Sequence, residues 1–473
     1  MADQAGGAAA GSLKRDSVGF FGTIGLSLGI QAPTAGIALI PAVMAGYVGP
    51  SGPLCFLLGV VVGLFIAGTF SLFARRFASA GSIYTFNGIG IGPLFGFISA
   101  WLLVLTYVCY TGSIAAQVAD YFGALWSPLA VVPWPVYVLI LLGIVGYLSY
   151  RSIQVSAVTA AVVEAVGLTF ILVVALFVLG HGANLGHGIT AQGFTPNGLS
   201  FGSLAFGIVF AFTGFSGFEA AAVLGEEARD PRRAIPRAII SALLVAGVAY
   251  IFGDWILNIA FPSSAALAHN ATPLLWVTQH YVAPWLAPVV DVVALASAFG
   301  GVVGSANGSM RLMFTLGRDG VGSRQLGRVH PRYETPVVAL IVTLVAGYLT
   351  VVFLAGGSAA NAFGYVVTLG AIALLAAYLL TMVAGAWYFL HHHARWYRVA
   401  IPVVGIPLAG YVLYSSVYPV PTFPYNLVVY AAVGWLVLGI VLVALSPGLR
   451  QRLAASPLFR LTAVGDATPG PSV

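Results

Sequence analysis

Apolar residues in this chain gather in long blocks separated by short stretches rich in Pro and Gly. Each block approaches the roughly 20 residues that a helix needs to cross a hydrocarbon core. Twelve are predicted as spanning helices: 18–40, 53–73, 93–119, 134–150, 154–180, 201–223, 236–261, 286–316, 336–355, 361–390, 399–418 and 425–446. Turn-forming residues mark the breaks, as in Gly49-Pro50-Ser51-Gly52-Pro53, Pro133-Trp134-Pro135, Thr195-Pro196-Asn197-Gly198 and the stretch from Pro419 to Pro424.

Charge tests this division. Lys and Arg fall at 14–15, 75–76, 151, 229–237, 311–332, 395–398 and 450–460, which are the two termini and every second loop or its adjoining helix end. The intervening loops, around 41–52, 120–133, 181–200, 262–285, 356–360 and 419–424, hold none. Basic residues are retained on the cytoplasmic side, so this alternation predicts twelve spans with both termini in the cytoplasm of a cell (plasma or inner) membrane.

Composition agrees. The chain is 60% hydrophobic and 7% charged with mean hydropathy +0.99, whereas a soluble domain carries about 25% charged residues. The formal net charge of +6 comes from only 19 basic residues, unclustered with aromatics, so no nucleic-acid partner is indicated. Cys55 and Cys109 both lie inside apolar runs, where neither a disulfide framework nor a metal site is expected. His391-His392-His393 ends a hydrophobic span beside Arg395 and Arg398 and reads as an interfacial cluster. The first apolar run continues past signal-peptide length, so it is expected to stay as a span. No phosphate-binding loop, metal cluster or nucleophile elbow is present, "GFSGF" (214–218) included, which argues against an enzyme and leaves no catalytic residue and no organic cofactor to assign.

Two spans are unusual. Gly19 to Ile40 contains five glycines with Ser27 and Gln31 mid-run, and span six packs Thr213, Gly214, Ser216, Gly217 and Glu219 together. They stand five spans apart and, by charge parity, run in opposite directions. Interrupted segments at matching positions of two halves point to an inverted-repeat transporter with its site near the midplane. Backbone opened at membrane depth is tolerated only where it is buried in protein or lines a cavity. The glycines are expected to break these helices, leaving N–H groups for a carboxylate and carbonyls for an ammonium group. The competing reading makes the same glycines small-residue packing seams, including Gly300, Gly301 and Gly304 of span eight.

Four stretches resemble the amino acid–polyamine–organocation permeases. These are "FASAGSIYTFNGIGIGPLFGFISAW" (77–101), "GFSGFEAAAVLGEEARDPRRAIPRAI" (214–239), "GSMRLMFTLGRDGVGSRQLGRVHPRYETPVVA" (308–339) and, more loosely, "SLGIQAP" (27–33). The resemblance implies an all-α integral membrane protein of twelve transmembrane helices in a LeuT-like five-plus-five inverted repeat with two additional C-terminal helices. The tails would be 1–17 and 447–473, the repeats 18–180 and 201–390, and the added spans 399–446. It further implies secondary transport of amino acids or related amines by alternating access, as symport or exchange. Substrate would sit on Gly25, Ser27, Leu28, Gly29 and Ile30 of span one and on Phe212, Thr213, Gly214, Phe215, Ser216 and Gly217 of span six. Two departures stand out: Leu28 replaces the serine of the family's Gly-Ser-Gly, and Gln31 its usual Phe. A substrate lacking a carboxylate, such as a polyamine, therefore stays open, as does a substrate sensor that transports nothing.

Ionisable residues inside the membrane cost at least ~2.5–3.5 kcal/mol each and are functional candidates by default. Glu219 matches the glutamate of the family's span-six motif and is the first candidate for proton coupling, with the proton as expected coupling ion and a structural hydrogen bond as the alternative. Glu164, in "VSAVTAAVVEAVGLTF", is the second, able to meet a cation or to pack protonated between helices. Asp254 and Asp291 read as structural or interfacial, and Asp120 as solvated. Arg311 is expected to snorkel to the interface. The Glu226–Arg237 cluster is expected to pair with the Arg318-Asp319 loop as a hinge or inner gate rather than a binding site. Tyr107 and Tyr110 of span three are possible lining residues. Phe212, Phe215 and Phe218 are gate candidates, and most other aromatics would face lipid or its interface.

Overall fold

The computed structural model describes residues 16–77, 79, 81–125, 132–151, 153–270, 272–354 and 357–456. Lys14 and Arg15, most of the expected N-terminal tail and the C-terminal tail beyond Ser456 lie outside the described residues. Described residues outside turns and connections are helical, because a helix pairs its own backbone where no water can.

α1 (Phe20–Gln31) and α2 (Pro33–Ile37) divide the first apolar block, and α3 (Ile40–Val48) leads into α4 (Gly52–Ala74). α5 (Ile83–Ile91) precedes α6 (Pro93–Leu125), followed by α7 (Trp134–Arg151) and α8 (Ile153–Gly180). α9 (Phe201–Phe215) gives way to a 3-10 segment over Phe218–Leu224, then α10 (Pro231–Ala260), α11 (Ser264–Ala268) and α12 (Pro273–Tyr281). α13 (Ala287–Arg318), α14 (Val337–Phe353), α15 (Ala359–His391), α16 (Trp396–Val417), α17 (Tyr425–Leu445) and α18 (Pro447–Ala455) complete the order. Among the described residues ten helical stretches are long and apolar enough to cross a membrane, with Ile40–Ala74 and Phe201–Leu224 each counted as one. α14 is apolar but only 17 residues long.

Three loops differ from expectation. The segment after Ile40 is helical as α3, whose Met44, Ala45 and Val48 are buried as it packs against α9 and α11; Gly49 and Pro50 only end it. The 262–285 connection folds into α11 and α12, and the residues ahead of span three form α5 along α6. In each case tertiary burial supplies the stability that a short helix lacks alone.

The packing is reciprocal. α4 lies along α10, α6 along α13, and α1 against the 3-10 segment that follows α9. Cross-pairs match as well: α4 rests on α9 as α10 rests on α1, and α6 rests on α15 as α13 rests on α8. α16 packs on α15, α4 and α9, while α17 packs on α15 and α6. There Trp101 and Trp435 stack with ring centroids 4.2 Å apart. Each indole N–H donates to the other residue's carbonyl, at 2.9 and 3.1 Å. The outward faces of α7 and α17 expose Leu139, Ile140, Ile144, Val433, Val437 and Ile440, a surface suited to hydrocarbon.

Close helix approaches rest on small residues. A Cβ added to Gly112 of α6 would lie 2.2 Å from the Gly347 carbonyl of α14, a backbone atom that cannot rotate away. Gly112→Ala should therefore destabilise the protein by roughly 1–3 kcal/mol or more; a melting temperature in detergent equal to that of the parent would contradict this account of the α6–α14 contact.

Candidate functional site

The first apolar block breaks, but not at its glycines. α1 is helical through Gly22, Gly25 and Gly29 and ends at Gln31. Ala32 then takes a left-handed conformation (φ 39°, ψ 55°), and Pro33 has no N–H with which to continue the ladder. The expectation that glycines unwind span one is thereby corrected. Their role is the packing seam: a Cβ on Gly29 would meet Ala160 at 3.1 Å and the Gly300 carbonyl at 3.3 Å, and one on Gly304 would meet Ile30 at 2.7 Å. Span six breaks where expected. α9 stops at Phe215, Ser216 is extended, and Gly217 has φ 105° with Ile30 only 2.3 Å from where its Cβ would stand. No residue but glycine meets both demands.

Side chains, rather than an open site, take up the freed backbone groups. Glu164 of α8 accepts from the Thr34 N–H at 3.3 Å and the Thr34 hydroxyl at 3.0 Å, and also from the Ser297 hydroxyl. Ser297 in turn accepts the Ala35 N–H at 3.1 Å. The Tyr250 hydroxyl donates to the Gln31 carbonyl at 3.2 Å. Ser27 donates to the Phe218 carbonyl at 2.8 Å and accepts from the Ala221 N–H at 3.0 Å, so it ties α1 to the 3-10 segment. Glu219 accepts from the Tyr107 hydroxyl at 2.9 Å, from the Gly217 N–H at 3.1 Å and from the Tyr378 hydroxyl. Tyr107 is thus Glu219's partner, and Tyr378 of α15 was not anticipated.

A cleft lies beside both breaks, on the half of the bundle whose loops lack Lys and Arg. Of the residues expected to bind substrate, Ile30 and Thr213 line it, and Tyr110 does so from α6. Gly25, Ser27, Leu28, Gly29, Gly214, Ser216 and Gly217 are buried behind its wall, as are Phe212, Phe215 and Phe218. Gln31, noted in the sequence as a polar residue mid-span and a departure from the family pattern but not assigned to binding, also lines it, together with Ala32, Ala35, Gly36, Leu39, Ile40, Ile114, Gln117, Tyr250, Phe363 and Val367, which were not singled out. The signal that would have found the first of them is Pro33, which marks the break more sharply than any glycine.

The opposite end of the bundle is closed. Val18 forms backbone bonds with Glu227 and Arg229, at 3.0 and 2.9 Å. Arg318 meets Glu226 through two bonds of 2.7 and 2.6 Å, the pairing expected of this cluster. Arg311 does not snorkel: it is 3% exposed and grips the equally buried Glu227 at 2.5 and 3.1 Å. A neighbouring carboxylate gives it a better partner than distant headgroups. Asp319 accepts from Tyr84 at 3.1 Å and from Ser456, the residue after α18, at 2.7 Å. Burial holds the Asp319 carboxyl above the usual carboxylate range despite both donors. Asp254 is fully buried rather than interfacial, with Asn258 donating to it at 3.2 Å. Asp120 is exposed and Asp291 half-buried.

Removing one partner of a buried pair strands the other charge. Arg311→Leu alone should cost about 3–5 kcal/mol of stability, and Arg311→Leu combined with Glu227→Leu clearly less. Additive losses in thermal unfolding would show that the two side chains are not coupled.

The amino acid permease family model matches residues 21–418. The branched-chain amino acid permease BcaP of Bacillus subtilis (strain 168) is 28% identical over 353 residues, covering 69% of this chain and 72% of that protein. BcaP of Lactococcus lactis subsp. cremoris is 26% identical over 367 residues, or 70% and 76%. The low-affinity putrescine importer PlaP of Escherichia coli (strain K12) is 27% identical over 310 residues, or 64% and 67%. The family match takes in both broken helices, the cleft beside them and the ion pairs that close the far end. This multi-pass membrane chain belongs to the amino acid permease family of the amino acid–polyamine–organocation superfamily.

Proposed function

We propose that this protein is a secondary transporter of amino acids with apolar side chains, working by alternating access through twelve spans. The observation that carries the substrate class is the cleft lining: among its described residues there is no Asp, Glu, Lys or Arg, and the walls are mostly aliphatic and aromatic. A zwitterion brings equal and opposite charges into such a site, while a diamine brings two ammonium groups and finds no carboxylate. Glu164, the acid that favoured an amine, is occupied by Thr34 and Ser297 and does not line the cleft. The likeness to BcaP supports the same reading, and that to PlaP makes putrescine the proper comparison substrate.

The LeuT-like repeat is supported by the reciprocal packing of α4 with α10 and α6 with α13, and by breaks in the first and sixth spans. α1–α2 stands as span one and α14 as span nine in this reading. The distribution of Lys and Arg supports cytoplasmic termini, which makes the cleft face outward and the Glu227–Arg311 end inward.

Coupling is assigned to a proton at Glu219. Its carboxyl is fully buried, and its partners, two phenols and a peptide N–H, fasten the span-six break to α6 and α15. A proton gained or lost there alters the bonds that hold the break.

Purified protein in liposomes should accumulate labelled leucine faster with an acidic exterior, and at least about tenfold better than putrescine, given the cost of an unpaired buried charge. Faster putrescine uptake would favour the polyamine reading, and saturable binding without flux a sensor. Glu219→Gln should lower uptake and flatten its pH profile; a profile of unchanged shape rules the proton role out.

A further inference from the structure

Two polar atoms at the cleft are left without partners. Gln31 is 4% exposed, and its Nε2 donates to the Phe215 carbonyl at 3.2 Å while its Oε1 has no hydrogen-bond partner. Turning the amide over would set Oε1 against the Phe215 oxygen, acceptor to acceptor, so its orientation is determined. Tyr110 is 3% exposed and its hydroxyl is likewise unpaired. Ser216 stands near it and gives its own proton to the Phe212 carbonyl at 2.7 Å, but the two hydroxyls do not meet within hydrogen-bond geometry. Both Gln31 and Tyr110 line the cleft. Buried polar atoms are normally paired, and two orphans on residues that line one cavity mark where a ligand completes the bonding.

The chemistry of each orphan names its ligand group. An amide oxygen only accepts, and α1 and α9 end at Gln31 and Phe215 with their carbonyl, negative ends at this place. A cation fits there. Tyr110's phenol has a proton to give, which an anion takes.

Resting on the transport reading above, the geometry points to Gln31 and Tyr110 as the specificity-determining pair. The Gln31 Oε1 receives the substrate's α-ammonium, and the Tyr110 hydroxyl donates to its α-carboxylate. Ile114, Phe363 and Val367 receive an aliphatic side chain. Recognition of the head group thus passes to two side chains, one of them the glutamine that departs from the family pattern. The backbone donors Thr34 N–H, Ala35 N–H and Gly217 N–H are already taken by Glu164, Ser297 and Glu219.

The test measures binding of three probes to purified protein: L-leucine, 4-methylpentanoate, which lacks the ammonium group, and 3-methylbutylamine, which lacks the carboxylate. Gln31→Leu should weaken leucine and 3-methylbutylamine by roughly tenfold or more while leaving 4-methylpentanoate within about twofold. Tyr110→Phe should do the reverse, weakening leucine and 4-methylpentanoate and sparing the amine. Gln31→Leu also removes the bond to Phe215 and can lose stability, whereas Tyr110→Phe removes an atom that has no partner. Its ligand-free melting temperature should therefore hold, which keeps one arm readable on its own. Losses that are equal for all three probes, or absent, overturn the assignment while leaving amino acid transport standing. A parent protein that binds none of the three overturns both.

Discussion

A peptide backbone opened inside a membrane must find partners within the protein, and the two broken helices of this chain find them largely in each other. Gln31, the last residue of α1, bonds the last carbonyl of α9 through its side chain. Ser27 bonds both ends of the turn that follows α9. Tyr250 of α10 holds the Gln31 carbonyl. Each break leaves groups that are paired partly within its own half, by Glu164 and Glu219, and partly from the other half, by Ser297 and Tyr250 for the first and by Ser27 and Gln31 for the second. The cleft lies where these cross-braces end.

The rest of the bundle anchors that core at corresponding places. Glu164 on α8 and Ser297 on α13 hold the start of α2, while Tyr378 on α15 and Tyr107 on α6 hold the turn after α9 through Glu219. In the proposed repeat, α8 corresponds to α15 and α13 to α6, so both breaks are fastened from equivalent positions. Carboxyl groups suit the task because each oxygen accepts several hydrogen bonds at once. At the far end the buried Glu227–Arg311 pair and the half-buried Glu226–Arg318 pair join the stretch after span six to α13. Such pairs contribute little net stability but bind specifically, because either charge left alone is costly. That makes them suited to a closure that has to separate and reform.

Much of this was legible in the chain. Block length marked the membrane spans, Gly214 to Gly217 marked the second break, and Glu219 was singled out as the acid that follows that break and matches the family's span-six motif. The first break was misplaced because five glycines outweighed one proline. Glycine is permissive and serves close packing as readily as unwinding, so Gly29 alone could not say which neighbour it admits. Pro33 is restrictive, since a missing N–H ends the ladder in any context. Tyr107 and Tyr378 lie 271 positions apart, and no local pattern announces that they share one carboxylate.

The amino-acid sequence by itself determined the medium, the helices and their rhythm, because hydrophobic length, proline and charge act over a turn or a span of chain. It also determined that the two odd segments would be interrupted. Only the tertiary structure decided what the polar residues of those segments do. Ser27, Glu164 and Glu219 are consumed in pairing distant backbone or hydroxyl groups, whereas Gln31 and Tyr110 keep an unpaired atom at the cleft. A hydrogen bond depends on ångström distances between groups far apart in the chain, and those distances exist only once the helices have packed.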